Sequence, residues 1–268
     1  MNNWTRTQLK DRAKEVLRVN YWIALVVGII LIISLGGTLA NNSKYTFSKS
    51  DYNYQGETTE FDHGFKYEKF DGFNEFSKLN SGIKVFVGIA AAIALVYSII
   101  TLGIKIFLFN PLAVGCFRFF GSSAEYPHNN MSPVGYGFKQ GNYLKIVGGM
   151  LIKNLYLFFW FLLFIIPGII KSYSYRMVPY ILAANPNMGA NEAITMSRKM
   201  MDGEKWNTFV LDLSFLGWFI LGALLFGIGT LFVLPYYYST DAQLYLAIKE
   251  KAIEKNITTP ELLNIPSY

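Results

Sequence analysis

Cysteine and histidine are nearly missing from this 268-residue chain, and charge of either sign is scarce. Cys116 is the one cysteine, so no disulfide can form within the chain. His63 and His128 lie far apart in sequence, and no group of Cys, His, Asp and Glu has the spacing of a metal site. No metal and no cofactor are expected. No nucleophile–base–acid set is visible, and no glycine-rich phosphate loop follows a strand, so the chain is not expected to be an enzyme. Charged residues make up 16% of the chain, where a soluble domain carries about a quarter. Hydrophobic residues make up 52% and cluster in long runs, which excludes an ordinary soluble core. The net charge of +6 sits near the ends of those runs. That pattern orients a membrane protein and favours anionic headgroups; it gives no reason to expect nucleic acid.

The organising stretch runs from Leu155 to Asn185, LYLFFWFLLFIIPGIIKSYSYRMVPYILAAN. Its 31 residues exceed the ~20 needed for one crossing. Proline removes a backbone donor, so Pro167-Gly168 is read as the turn between two crossings. The third span of the chain begins at Tyr143 or Leu144 and ends at that turn. The fourth runs from Ile169 to Ala184, where Asn185-Pro186 ends it.

Upstream, residues 1–20 read as an amphipathic helix. Thr5 and Gln8 fit a capping box. Leu9, Ala13, Val16 and Leu17 share one face, and Arg6, Lys10, Arg12, Lys14 and Arg18 cover the rest. Such a helix lies on the cytoplasmic surface with its cations at anionic headgroups, or is a solvated lead-in that sets topology by charge. Tyr21–Ala40 is the first span, with Tyr21 and Trp22 as interfacial anchors. Its length exceeds a signal-peptide core, so a retained span is expected. The loop 41–82 carries seven carboxylates against five lysines and no arginine, which places it outside the cell. Phe70, Phe73 and Phe76 in it would rest on the outer leaflet or form a hydrophobic binding surface. Val85–Phe109 is the second span. Asn110-Pro111 breaks it, LAVGCFRFF follows as an interfacial segment with Arg118 at the surface, and the loop to Asn142 is expected to lack regular structure.

Downstream, residues 187–206 form a second basic amphipathic helix with Ala193, Met196 and Met200 on one face and Arg198 and Lys199 elsewhere. Thr208–Ile228 and Thr230–Ile248 are the fifth and sixth spans, joined at Gly227 and Gly229. Residues 249–268 form a cytoplasmic tail. The expected architecture is therefore an all-α, multi-pass transmembrane helical bundle in the cell membrane. It is one membrane domain over 1–268, with six spans, two interfacial amphipathic helices and both termini cytoplasmic. A four-span alternative leaves the cations of 171–206 outside, and the positive-inside bias favours six.

Ionisable groups within spans are rare because each costs roughly 2.5–3.5 kcal/mol at mid-membrane. Lys105, Lys153, Lys171, Arg176 and Asp212 are the candidates, and Lys105, near a span end, is expected to snorkel. Lys171 and Arg176 lie five residues apart, about 140° on a helix, so both cannot face one partner. Arg176 with Tyr173 and Tyr180 makes a polar stripe. Asp212 is the obvious counter-charge for Arg176 or Lys171. The candidate polar centre is Lys153, Asn154, Lys171, Tyr173, Arg176, Tyr180 and Asp212, a structural pair or an anion site. Lys10, Arg12, Lys14, Arg18, Arg198 and Lys199 are candidate lipid-surface contacts.

WTRTQLKDRAKEVLRVNYW, FNPLAVGCFRFF, IIPGIIKSYSYRMVPYILAANP and AITMSRKMMDGEKWNTFVLDLSFLGW together resemble the bacterial integral membrane proteins of domain-of-unknown-function family 975. The resemblance covers nearly the whole chain outside the 41–82 loop, and it implies location and fold but no activity. A fainter likeness, from the Pro-Gly break to the Tyr-rich last span, is to the membrane domain attached to some glycerophosphodiester phosphodiesterases; no catalytic domain of that kind is present in the sequence. The expected function is non-enzymatic: binding of anionic membrane lipid or of a membrane protein partner, in envelope homeostasis or as a scaffold. A small transporter or channel, suggested by charges at helix breaks, is the rival class. A subunit of a larger membrane complex is the third.

Overall fold

The computed structural model describes residues 4–36, 81–126, 130–139, 141–224 and 227–263. The expected loop 41–82, apart from its last two residues, lies outside the described residues, and so do Phe70, Phe73 and Phe76. Residues 1–40 with 102–268 form one compact unit and residues 41–101 a second. Every regular element among the described residues is helical.

Four helical segments are long and apolar enough to cross a membrane: Arg6–Ser34, Ser81–Glu125, Tyr143–Leu163 and Lys205–Leu224. Two of the six expected crossings, Ile169–Ala184 and Thr230–Ile248, are not among them: the first is cut into two short helices, and the second is too polar past Pro235.

Helix α1 (Arg6–Ser34) starts at the expected capping box. Thr5 Oγ1 accepts from the Gln8 amide at 3.3 Å, and Gln8 Oε1 accepts from the Thr5 amide at 3.1 Å. The amphipathic segment and the first span are one helix bent at Asn20 (φ −120°, ψ 20°). Leu9, Ala13, Val16 and Leu17 are buried, as are Ala24 and Gly28 further on. The apolar face of the amphipathic segment is therefore spent on protein packing, largely against the last long helix, α9 (Ile228–Glu254). A Cβ on Gly28 would lie 3.5 Å from that of Leu234, so the small residue sets the approach of the two helices. The cations of α1 stay on its outer face.

Helix α2 (Ser81–Ile104), which belongs to the second unit as far as Thr101, is apolar over almost its full length. A π-helical turn, Lys105–Phe109, precedes α3 (Asn110–Glu125). The segment LAVGCFRFF is packed inside the protein, since most of α3 is buried. Arg118, expected at the surface, is 2% exposed; it donates to the Ala183 carbonyl, and its guanidinium lies 3.7 Å from the Tyr136 ring centre. The following loop does hold regular structure, a 3-10 helix over Ser132–Phe138. Its glycine is the reason it fits: a Cβ on Gly137 would sit 2.1 Å from the Pro111 carbonyl oxygen.

Helix α4 (Tyr143–Leu163) turns into α5 (Ile165–Ser174) at Phe164, three residues before Pro167. Pro167 falls in the first turn of α5, where backbone N–H groups have no intrahelical partner and its missing donor costs nothing. The expected fourth span is then cut at Tyr175–Met177 into α5 and the seven-residue α6 (Val178–Ala184). Pro179, in the first turn of α6, cannot continue α5. Neither piece alone spans a bilayer at 1.5 Å per residue.

Helix α7 (Ala190–Met200) buries Ala193, Met196 and Met200 as expected, together with Ile194 and Ser197. Helices α8 (Lys205–Leu224) and α9 form an antiparallel hairpin. Gly227 at φ +76° caps the start of α9, a left-handed conformation that favours glycine. Gly222 and Gly229 touch backbone to backbone, since a Cβ on Gly222 would lie 2.6 Å from the Thr230 nitrogen. From Tyr238 onward α9 is largely buried, so the second half of the expected sixth span faces protein. The helix runs on to Glu254, and the tail does not begin at residue 249. Lys249 instead pairs with Glu125 at 2.6 Å, and Lys251 with Glu204.

Candidate functional site: a charge centre at a broken helix

The break between α5 and α6 leaves backbone groups that need partners. Ser197 on α7 supplies two of them: its hydroxyl donates to the Ser174 carbonyl at 2.8 Å and accepts from the Met177 amide at 3.2 Å. With the backbone fixed there, Arg176 projects from the break toward the α8–α9 hairpin.

Its guanidinium meets two carboxylates. Nη1 and Nη2 reach the two oxygens of Asp212 at 2.6 and 2.9 Å, a bidentate pair, and Nε reaches Asp241 Oδ1 at 2.8 Å. Three tyrosines complete the set. Tyr173 and Tyr237 donate to Asp212 at 3.0 and 3.2 Å, and Tyr180 donates to Asp241 Oδ2 at 2.9 Å. All four carboxylate oxygens and all three guanidinium nitrogens are engaged. Arg176 is 15% exposed at its side chain, Asp212 22% and Asp241 7%. One cation and two carboxylates leave a formal charge of −1, which the three hydroxyl dipoles offset. Bidentate, charge-assisted bonds of this kind fix orientation as well as energy. Tyr180 also stacks on Tyr245, ring centres 4.6 Å apart.

Of the residues singled out in the sequence, Tyr173, Arg176, Tyr180 and Asp212 meet in this centre. Lys171 does not: it lies on α5, before the break, and its ammonium is 4.5 Å from the Trp160 ring centre. Lys153 and Asn154 line a different cavity. Sequence reasoning missed Asp241 and Tyr237. The available signal was their spacing in α9: residues 237 and 241 lie four apart, on one face of a helix.

The surface cations divide differently. Lys10 sits 4.5 Å from the Phe215 ring centre, and Lys14 pairs with Asp11 at 3.0 Å in solvent. Arg12, Arg18, Arg198 and Lys199 are exposed. Lys14 and Arg18 border a cleft of about 760 Å³ whose other walls are Leu17, Tyr21, Trp218, Phe232, Val233 and Tyr236. Among the described residues no cluster of His, Cys, Asp and Glu is arranged to hold a metal ion.

Comparison with known proteins adds one match. The model of a family described as "Protein of unknown function (DUF975)" matches residues 1–252. No curated protein and no solved structure matches the chain, and the likeness to the diesterase membrane domain is not shown. The match spans α1 and the Arg176 centre and nearly all of α9, and the chain belongs to that family of unknown function.

Proposed function

We propose that the chain is a non-enzymatic protein of the cell membrane that binds anionic lipid in the cleft between α1, α8 and α9, and that the Arg176 centre is the lock that holds this cleft together. The cleft supports the reading. Lys14 and Arg18 stand at its polar edge, two tyrosines mark an interface, and Trp218, Phe232 and Val233 offer an acyl chain an apolar wall. The Arg176 centre argues for a structural role there, because each of its carboxylate oxygens and guanidinium nitrogens already has a partner within the protein.

The orientation has its own support. Trp4 donates to Glu204 at 3.1 Å and Lys251 pairs with the same carboxylate, so the start of α1 and the end of α9 lie on one side. With the basic α1 and α7 faces there, that side is cytoplasmic by the positive-inside bias.

A transporter or channel needs a polar path that opens, and the helix break at Arg176 is the feature that favours it. The saturated bonding of that break weighs against it. The test is lipid retention: purified protein carrying Lys14→Gln and Arg18→Gln is expected to hold less phosphatidylglycerol than wild type, with phosphatidylcholine unchanged. Equal retention of phosphatidylglycerol would refute the assignment of the cleft.

A further inference from the structure

Two lysines in the membrane part of the chain have no counter-charge among the described residues. Lys105 opens the π-helical turn and Lys153 lies midway along α4. Among the described residues neither makes an ion pair or a side-chain hydrogen bond. Lys105 is exposed and Lys153 half-buried, on a surface that meets hydrocarbon if these helices cross a membrane. A lone ammonium beside hydrocarbon is costly, and proteins pair such groups or use them to hold an anion.

Both lysines line one cavity of about 590 Å³, between the end of α1, the π turn and α4. Ser34, Asn110 and Asn154 are the other polar groups on its wall, and the rest is apolar, with Leu102 and Phe158 exposed toward it. The lining is thus amphiphilic: two cations and three uncharged hydrogen-bonding groups beside hydrocarbon. Hydroxyl and amide groups suit glycerol and phosphate oxygens, and the leucine and phenylalanine suit acyl chains. Local backbone contributes as well, since a π turn inserts an extra residue into the helical register and such turns recur at functional sites.

We propose that this cavity is a binding site for the headgroup phosphate of an anionic phospholipid, held between Lys105 and Lys153. The site is separate from the Lys14/Arg18 cleft. Ser34 and Arg18 are 16 residues apart on α1, about 24 Å along a helix axis, so the two cavities lie toward opposite ends of its apolar half.

The test counts lipids retained by the full-length protein in detergent, by native mass spectrometry, after incubation with phosphatidylglycerol or phosphatidylcholine. The double variant Lys105→Gln, Lys153→Gln is expected to bind phosphatidylglycerol about tenfold or more weakly at one site, the size expected for two lysines facing an anionic headgroup. The double variant Lys105→Arg, Lys153→Arg keeps that lipid, and phosphatidylcholine binding does not change. Millimolar inorganic phosphate is expected not to displace the lipid; displacement would show a free-anion site and overturn the lipid assignment. Equal phosphatidylglycerol retention by the Gln variant and wild type would overturn the site itself. Should the double Gln variant fail to fold, Lys153→Gln alone must weaken retention, and if it does not the proposal fails. The comparison is made against wild type, because the Lys14→Gln, Arg18→Gln protein is itself expected to hold less phosphatidylglycerol.

Discussion

Two sets of charges sit in the membrane part of this chain, and they differ in how completely they are paired. Arg176 is bound by two carboxylates and shares them with three tyrosine hydroxyls, drawn from α5, α6, α8 and α9. Lys105 and Lys153 face a cavity with no carboxylate on its wall. The first arrangement is complete within the protein and ties four helices at a point where one of them is broken. The second has no partner among the described residues. Bonding that is saturated serves the fold, and bonding that is unsaturated is where a ligand fits.

That contrast can be broken by mutation, and the largest effect is expected at Arg176. Arg176→Leu leaves two half-buried carboxylates facing each other without a cation, and loss of ~3–5 kcal/mol of stability is expected. Thermal unfolding in detergent measures it; an unchanged midpoint would mean that the centre does not hold the fold. A finer test is the cycle of Arg176→Gln with Asp212→Asn, where a coupling of roughly 0.5–3 kcal/mol is expected for residues in one network. Additive effects would mean that the bidentate pair contributes nothing. Next in size is Ser197→Ala, which strips the buried Met177 amide of its acceptor at the helix break; a cost of ~1–3 kcal/mol is expected by the same unfolding assay. The smallest effect belongs to the other side of the comparison. Lys153→Leu removes an unpaired cation and is expected to leave stability the same or slightly higher, within about 0.5 kcal/mol of wild type on the losing side, while anionic-lipid retention falls.

The sequence carried much of this through simple rules of period and charge. The buried face Leu9, Ala13, Val16, Leu17 was legible because apolar residues three and four apart must share a side of a helix. What covers that face was not legible: period says which residues are buried, not whether lipid or α9 buries them. Arg176 and Asp212 were legible as partners because charges of opposite sign are scarce within the apolar runs. Asp241 was passed over as part of the polar half of the last expected span, beside Ser239, Thr240 and Gln243; only the antiparallel register of the α8–α9 hairpin brings it beside Asp212. Pro167-Gly168 misled for a physical reason. Proline excludes helix only behind its first turn, so the true break falls at Phe164, and a second, unread one precedes Pro179.

The most direct test of the account compares unfolding midpoints, without added lipid, for Arg176→Gln and for the double variant Lys105→Gln, Lys153→Gln. The account predicts a large drop for the first and none for the second. A large drop for the lysine variant with none for the arginine variant would contradict it, since the unpaired charges would then be the ones that hold the fold.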